Sequence, residues 1–327
     1  MSHIQIKSSL ALDTLCFLEK RLLNDTKWMN EKQIEEIKYI NALLPGDFGD
    51  NYIGMSNICL IVSAYFDGDL ECLTLDDLID MFNDPRKIEN TVKERITGGF
   101  TASYIYPVLE WLNDGYASLY AKRLTVLKNI GFESIYKERI LPMVYSEMKQ
   151  KEAEVAGYDA DSLFRNVSLL KKSSVIDSAN IYVSFFSAPT AFTLYGGSFL
   201  TCFCPAGSVD FYSMIAHELM HGFASEKLTE LYRKHVESNE KLKACHHALL
   251  EDYPGDEEEF VMAAEYYLCY LSGNYSKERL LKRARKEYGG NCPTSIAIFE
   301  LLLREPKIPE DYNEWLIGQF ESNKLFT

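Results

Sequence analysis

The chain has 327 residues, 47% of them hydrophobic and 25% charged, which excludes disordered, collagen-like and low-complexity classes. Its 34 Lys and Arg stand against 48 Asp and Glu, a formal charge of −14; that field repels a phosphate backbone, so nucleic acid is not an expected partner. No apolar run can span a bilayer, the N-terminus lacks a secretory-signal pattern and the eight Cys form no CxxC pair, so a cytoplasmic, reducing setting without membrane attachment is expected.

Residues 1–150 read as a helical region. Apolar residues recur at helical spacing over 13–23. Thr74 precedes LDDLIDMF with Asp77 three positions on, a capping-box pattern, and Pro85 follows the end. Helical patterns continue at 104–112, 117–129 and 135–150, broken at Gly115 and Gly131. The texture then changes. Segments 180–186, 191–195 and 198–204 are short, β-branched and aromatic, and predict a small sheet with a hairpin at Gly196-Gly197. From Ser208 the pattern is helical to the end, with breaks at Pro254-Gly255, Gly289-Gly290 and Pro309. The expected fold class is α+β, mainly α, with a segregated sheet. The expected division is a helical region 1–150 and a domain 151–327, the latter with its sheet at about 180–204 packed on a helix at about 209–223.

That helix carries His217-Glu218-Leu219-Met220-His221, an HExxH motif, with Ser208 as the expected N-cap and Asp210 near the positive helix end. His217 and His221 fall roughly 40° apart on the helix and one turn apart in height. Two imidazoles on one face can therefore hold one Zn²⁺, while Glu218, about 100° from His217, can touch a metal-bound water without being a ligand. Tyr212, Ile215, Ala216, Leu219 and Phe223 form the opposite, core-facing side. With six His in the chain, chance yields about 0.01 such motifs per sequence of this kind.

Over 208–268 the sequence resembles the gluzincins, the thermolysin-like and aminopeptidase-N-like zinc peptidases; the metzincin pattern is excluded because Ala224 and Lys227 occupy its Gly and His positions. The resemblance implies a zincin-like fold, one Zn²⁺, a peptide or protein substrate, and a third ligand that is a Glu on a later helix. Laid on the NEGFA stretch of aminopeptidase-N-like enzymes, Glu258 matches the ligand, Phe260 the Phe and Glu265 a later Glu, whereas Glu257, Glu259 and Val261 depart from Asn, Gly and Ala. From the residues themselves, Asp256 as N-cap with Glu259 at N3 would make a capping box and leave Glu258 free, and Glu258, Val261, Glu265 and Leu268 share one stripe. Glu240, nineteen positions past His221, and Glu259 remain rivals to the favoured Glu258. The thermolysin-like Asp that orients a zinc histidine is replaced by Met262, with Glu265 as its substitute; the GxMEN stretch is absent, so the resemblance does not extend to aminopeptidase activity.

The expected chemistry is hydrolysis of a peptide bond by a metal-activated water, with His217, His221 and Glu258 as metal ligands and Glu218 as general base. Tyr253, Tyr266 and Tyr267 are candidate oxyanion donors, each more readily explained by packing. Strand 198–204, by analogy with zincins, is the candidate edge for an extended peptide. The alternative reading is a non-catalytic zincin-like fold that binds metal or a partner. Cys202 and Cys204 read as core residues, His235, His246 and His247 as partly exposed, and the basic run 277–286 as a solvated helix face. Serine-hydrolase and nucleotide-binding motifs are absent.

Overall fold

The structure is a computed structural model, and it describes residues 4–21, 29–46, 48, 55–97, 99–173, 178–187, 191–202, 210–252, 255–286, 290–322 and 325. The chain is mainly helical with a small mixed sheet. It divides into two compact units, one of Ser2–Ala156 with Ala179–Val209, the other of Gly157–Ser178 with Asp210–Thr327.

The first unit contains strand β1 (Ile4–Lys7), then helices α1 (Leu10–Lys20), α2 (Glu31–Asn41), α3 (Met55–Tyr65), α4 (Leu75–Phe82), α5 (Pro85–Arg95), α6 (Gly99–Trp111), α7 (Ala117–Asn129), α8 (Phe132–Ile135) and α9 (Leu141–Val155), and strands β2 (Ala179–Ser184), β3 (Phe192–Thr193) and β4 (Ser198–Cys202). Local chemistry sets several of these ends. The Thr74 side chain accepts from Asp77 N–H while the Asp77 carboxylate accepts from Thr74 N–H, the expected capping box. Pro85 does not merely follow that helix; it is the first residue of α5, after the N-cap Asp84, where its missing N–H costs nothing. Gly115 (φ 113°) and Gly131 (φ 78°) are breaks, as the pattern predicts.

The strand order is β1-β2-β4-β3, with β1, β2 and β4 parallel and β3 antiparallel to β4. The β3–β4 hairpin turns at Gly196-Gly197, both at positive φ (75° and 73°). Two sequence expectations change here. β1 extends the sheet, its Ile4 and Ile6 buried, and by pairing with β2 it joins the sheet to the N-terminal helices, so the compact units interleave along the chain rather than meeting near residue 150. And β4 is not a free edge for a peptide: it has β2 along one side and β3 against Phe199 and Leu200 on the other. Pro189, Cys204 and Pro205, and the Cys202 side chain, lie outside the described residues.

The second unit is helical: α10 (Ala160–Lys171), α11 (Phe211–Met220), α12 (Glu226–Glu237), α13 (Glu240–Asp252), α14 (Glu258–Leu271), α15 (Lys277–Ala284), α16 (Pro293–Leu302) and α17 (Tyr312–Glu321). Asp159, Asp210, Ser225, Ser276 and Asp311 cap α10, α11, α12, α15 and α17 with their side chains, each such cap being worth about 1 kcal/mol. Helix α14 is the core element. From Glu259 to Cys269 every residue is buried, and α11 and α16 pack against it. A helix apolar on nearly all sides belongs at the centre of its unit. Among the described residues no helix is long and apolar enough to cross a membrane.

Candidate metal centre

Helix α11 presents the HExxH residues. Its N-cap is Asp210, which accepts from Ser213 N–H; the expected cap, Ser208, lies outside the described residues. Tyr212, Ile215, Ala216 and Leu219 are buried on the core side as expected, leaving Met214, His217 and His221 along the partly open stripe. The helix is shorter than the apolar pattern suggests. It ends at Met220, with His221 as C-cap at ψ 151° and Gly222 at φ 79°. An added Cβ at Gly222 would meet nothing within 4 Å, so it is the left-handed backbone that calls for glycine. Beyond the turn, Phe223 stacks on Tyr312 instead of continuing the helix face.

The first turn of α14 faces this stripe. Glu258 Oε2 lies 3.5 Å from His217 Nε2, and Glu258 Oε1 lies 3.7 Å from His221 Nε2. One donor atom from each of the three residues falls within 4.8 Å of the others. The separations exceed good hydrogen bonds and match a different geometry: two ligand atoms, each about 2.1 Å from a tetrahedral ion, stand about 3.4 Å apart. Glu258 Oε2 is moreover buried and meets no donor at hydrogen-bonding geometry among the described residues, an arrangement that a cation would complete. The side chains of His217, His221 and Glu258 keep 15%, 19% and 13% of their surface exposed, which leaves the cluster reachable from solvent.

Each imidazole is also held on its other nitrogen. His217 Nδ1 lies 3.0 Å from Glu265 Oε2, and His221 Nδ1 lies 3.0 Å from Glu257 Oε1. An Nδ1–H donated to a carboxylate fixes the tautomer that leaves Nε2 free for a metal and raises its basicity. Glu265 receives a further hydrogen bond from Ser213 Oγ and pairs with Arg283 Nη2 at 3.0 Å; Arg283 also donates to Ser213 Oγ. Glu257 Oε1 accepts the N–H of Gly222 at 3.0 Å. Lys171, at the end of α10, donates to the carbonyls of Leu219 and His221 at 3.0 and 2.6 Å.

Burial pushes the His217 and His221 pKa values down, but the carboxylates outweigh it. Glu258 and Glu265 hold His217 well above its ordinary 6.5, and Glu258, Glu257 and Glu218 raise His221. Glu258 shows the converse: burial raises it, and His221 and His217 bring it below the usual carboxylate value. The cluster thus concentrates negative charge around two nitrogen donors, a field that selects a cation.

Of the three carboxylates that compete from sequence, the structure brings Glu258 to the histidines. Glu240 is exposed at the start of α13. Glu259 is buried elsewhere: it accepts from Tyr232 OH and from the N–H groups of Thr294 and Ser295, closing the N-terminus of α16. The anticipated Asp256–Glu259 capping box is therefore absent. The N-cap of α14 is Glu257, without a side-chain cap bond, and Asp256 pairs with Arg233 and His246. Glu218 is 5% exposed on α11, within electrostatic reach of His221. Tyr266 and Tyr267 are buried, Tyr266 against Phe299, which is packing; Tyr253 lies outside the described residues. His246 is buried on Tyr232 and not partly exposed as expected, whereas His247 is exposed.

Sequence reading missed Glu257, Lys171, Ser213 and Arg283. Glu257 carries the one available signal, an acid directly before Glu258. Arg283 belongs to the basic run 277–286 but turns from that solvated face toward Glu265.

Comparisons with known proteins return no matching family model, no matching curated protein and no matching solved structure.

Proposed function

We propose that the chain is a zinc-dependent peptidase of gluzincin type with a zincin-like catalytic domain, in which His217, His221 and Glu258 hold one metal ion and Glu218 is the general base. The observation that carries this reading is the double grip on each imidazole: Nε2 faces Glu258 at 3.5 or 3.7 Å while Nδ1 meets its own carboxylate at 3.0 Å. Two nitrogens and one oxygen from protein leave a tetrahedral ion one open position, the arrangement of catalytic rather than structural sites.

When bound, zinc supplies Lewis acidity to a carbonyl and brings the pKa of water to about 7. The chain's own residues do the rest. Glu265 and Glu257 each hold a histidine at Nδ1 and so orient its Nε2 toward the site. Glu218 takes a proton from the attacking water and delivers it to the departing amine. Burial of Glu218, 5% exposed, limits competing solvent in that transfer.

Glu218→Gln is the test. Hydrolysis of a peptide library should fall by at least about 100-fold, with zinc content and circular dichroism unchanged. Wild-type turnover in Glu218→Gln would overturn the mechanism. Zinc binding by wild-type protein without cleavage of any peptide would establish the non-catalytic alternative.

A further inference from the structure

The HExxH helix ends on its second histidine, and that ending is built. The last carbonyls of a helix lack intrahelical donors and carry partial negative charge. In α11, two of these terminal carbonyls, Leu219 and His221, receive one ammonium, Lys171 Nζ, at 3.0 and 2.6 Å. The donor comes from a different helix, about fifty residues earlier in the chain. The His221 carbonyl is available because ψ of 151° turns it out of the helix direction. On the other side of the same peptide unit, Gly222 N–H donates to Glu257 Oε1, the atom that also meets His221 Nδ1.

From this geometry we infer that Lys171 is a positioning residue for the metal centre: by binding the Leu219 and His221 carbonyls it fixes where α11 breaks, and so where the His221 imidazole meets Glu258 and Glu257. The inference rests on the reading of His217, His221 and Glu258 as ligands. Three restraints act on His221 together. Lys171 holds its carbonyl, Glu257 holds its ring and the N–H that follows, and the left-handed Gly222 permits the reversal. Without the ammonium, the Leu219 and His221 carbonyls lose this donor, and the helix end can rewind or fray. Either change moves His221 and leaves His217, one turn earlier, in place. A cation here also balances the field of Glu257, as Arg283 does for Glu265 at the other histidine.

The test is metal titration with Zn²⁺ and with Co²⁺ as a visible-absorption probe, on wild-type protein, Lys171→Met, Lys171→Arg and His217→Ala. Wild-type protein should bind one ion and His217→Ala none. Lys171→Met should bind about 10- to 100-fold more weakly, with an altered Co²⁺ spectrum and an unchanged far-ultraviolet spectrum. Lys171→Arg, which keeps charge and donors, should recover most of the affinity and the wild-type Co²⁺ spectrum. If Lys171→Met does not fold, Lys171→Gln replaces it and should show the same weakening and spectral change. Wild-type affinity and spectrum in Lys171→Met, or in its replacement, overturn the role of Lys171 alone. Failure of wild-type protein to bind either metal overturns the metal centre itself.

Discussion

Asp13 in the first unit and Glu258 in the second are both carboxylates withdrawn from solvent, and they respond in opposite directions. Asp13, on α1, is fully buried among neutral donors: its Oδ1 accepts from Ser184 Oγ and Phe185 N–H, both at 2.6 Å, and from Phe186 N–H at 3.3 Å. Burial wins there and lifts its pKa to about 6, against these hydrogen bonds. Glu258 feels the same desolvation, but two imidazoles face it and hold it below the usual value. Burial alone makes an acid want a proton; burial opposite two imidazole nitrogens makes a place for a cation. The contrast separates a structural carboxylate on α1, bonded to the end of β2, from the proposed ligand.

The contrast breaks most sharply at the proposed ligand itself. Glu258→Ala should abolish stoichiometric zinc binding, a loss of at least about 100-fold in affinity by isothermal titration, whereas Asp13→Asn should leave zinc affinity unchanged. Glu257→Gln and Glu265→Gln should each weaken zinc by about 10- to 100-fold, because the amide orients the ring without the charge. Protons compete with the ion at both histidines, and their raised pKa values move that competition upward. Zinc affinity should therefore fall as pH is lowered, with the loss already under way above 6.5.

Stability responds with opposite signs in the two places. A raised folded-state pKa for Asp13 means its contribution is fully present below about 3.8 and is lost as pH rises through about 6. The lowered pKa of Glu258 means a contribution present above 4.5 and lost as pH falls through its folded value. Asp13→Asn should keep an Oδ1 acceptor and remove the burial cost of the charge. It should flatten the first unit's stability between pH 4 and 6, as read by denaturant titration. The smallest effect belongs to Thr74→Ala, which removes a capping box far from the site and should cost about 1 kcal/mol.

What was legible in the sequence is what depends on short spacing. The i, i+4 repeat of His217 and His221, the Thr74 cap and the paired glycines of the hairpin are each decided within a few residues, and each appears where the pattern puts it. The capping box of Asp256 and Glu259 is also a short-range pattern, yet distant partners override it: Tyr232, Thr294 and Ser295 claim Glu259, and Arg233 and His246 claim Asp256. Glu258 faces His217 and His221 with no such box beside it. β1 is only four residues long, so its Ile-Gln-Ile-Lys alternation is a short signal that pairing with β2 completes. Lys171 carries no local signal at all, since what makes it matter is the helix end it meets some fifty positions later.

The central claim is one metal ion on His217, His221 and Glu258, and metal content after zinc loading and exhaustive dialysis tests it most directly. The account predicts close to one zinc per chain in wild-type protein and none in Glu258→Ala. Wild-type protein that retains no zinc, or a Glu258→Ala variant that retains as much as wild type, would contradict it.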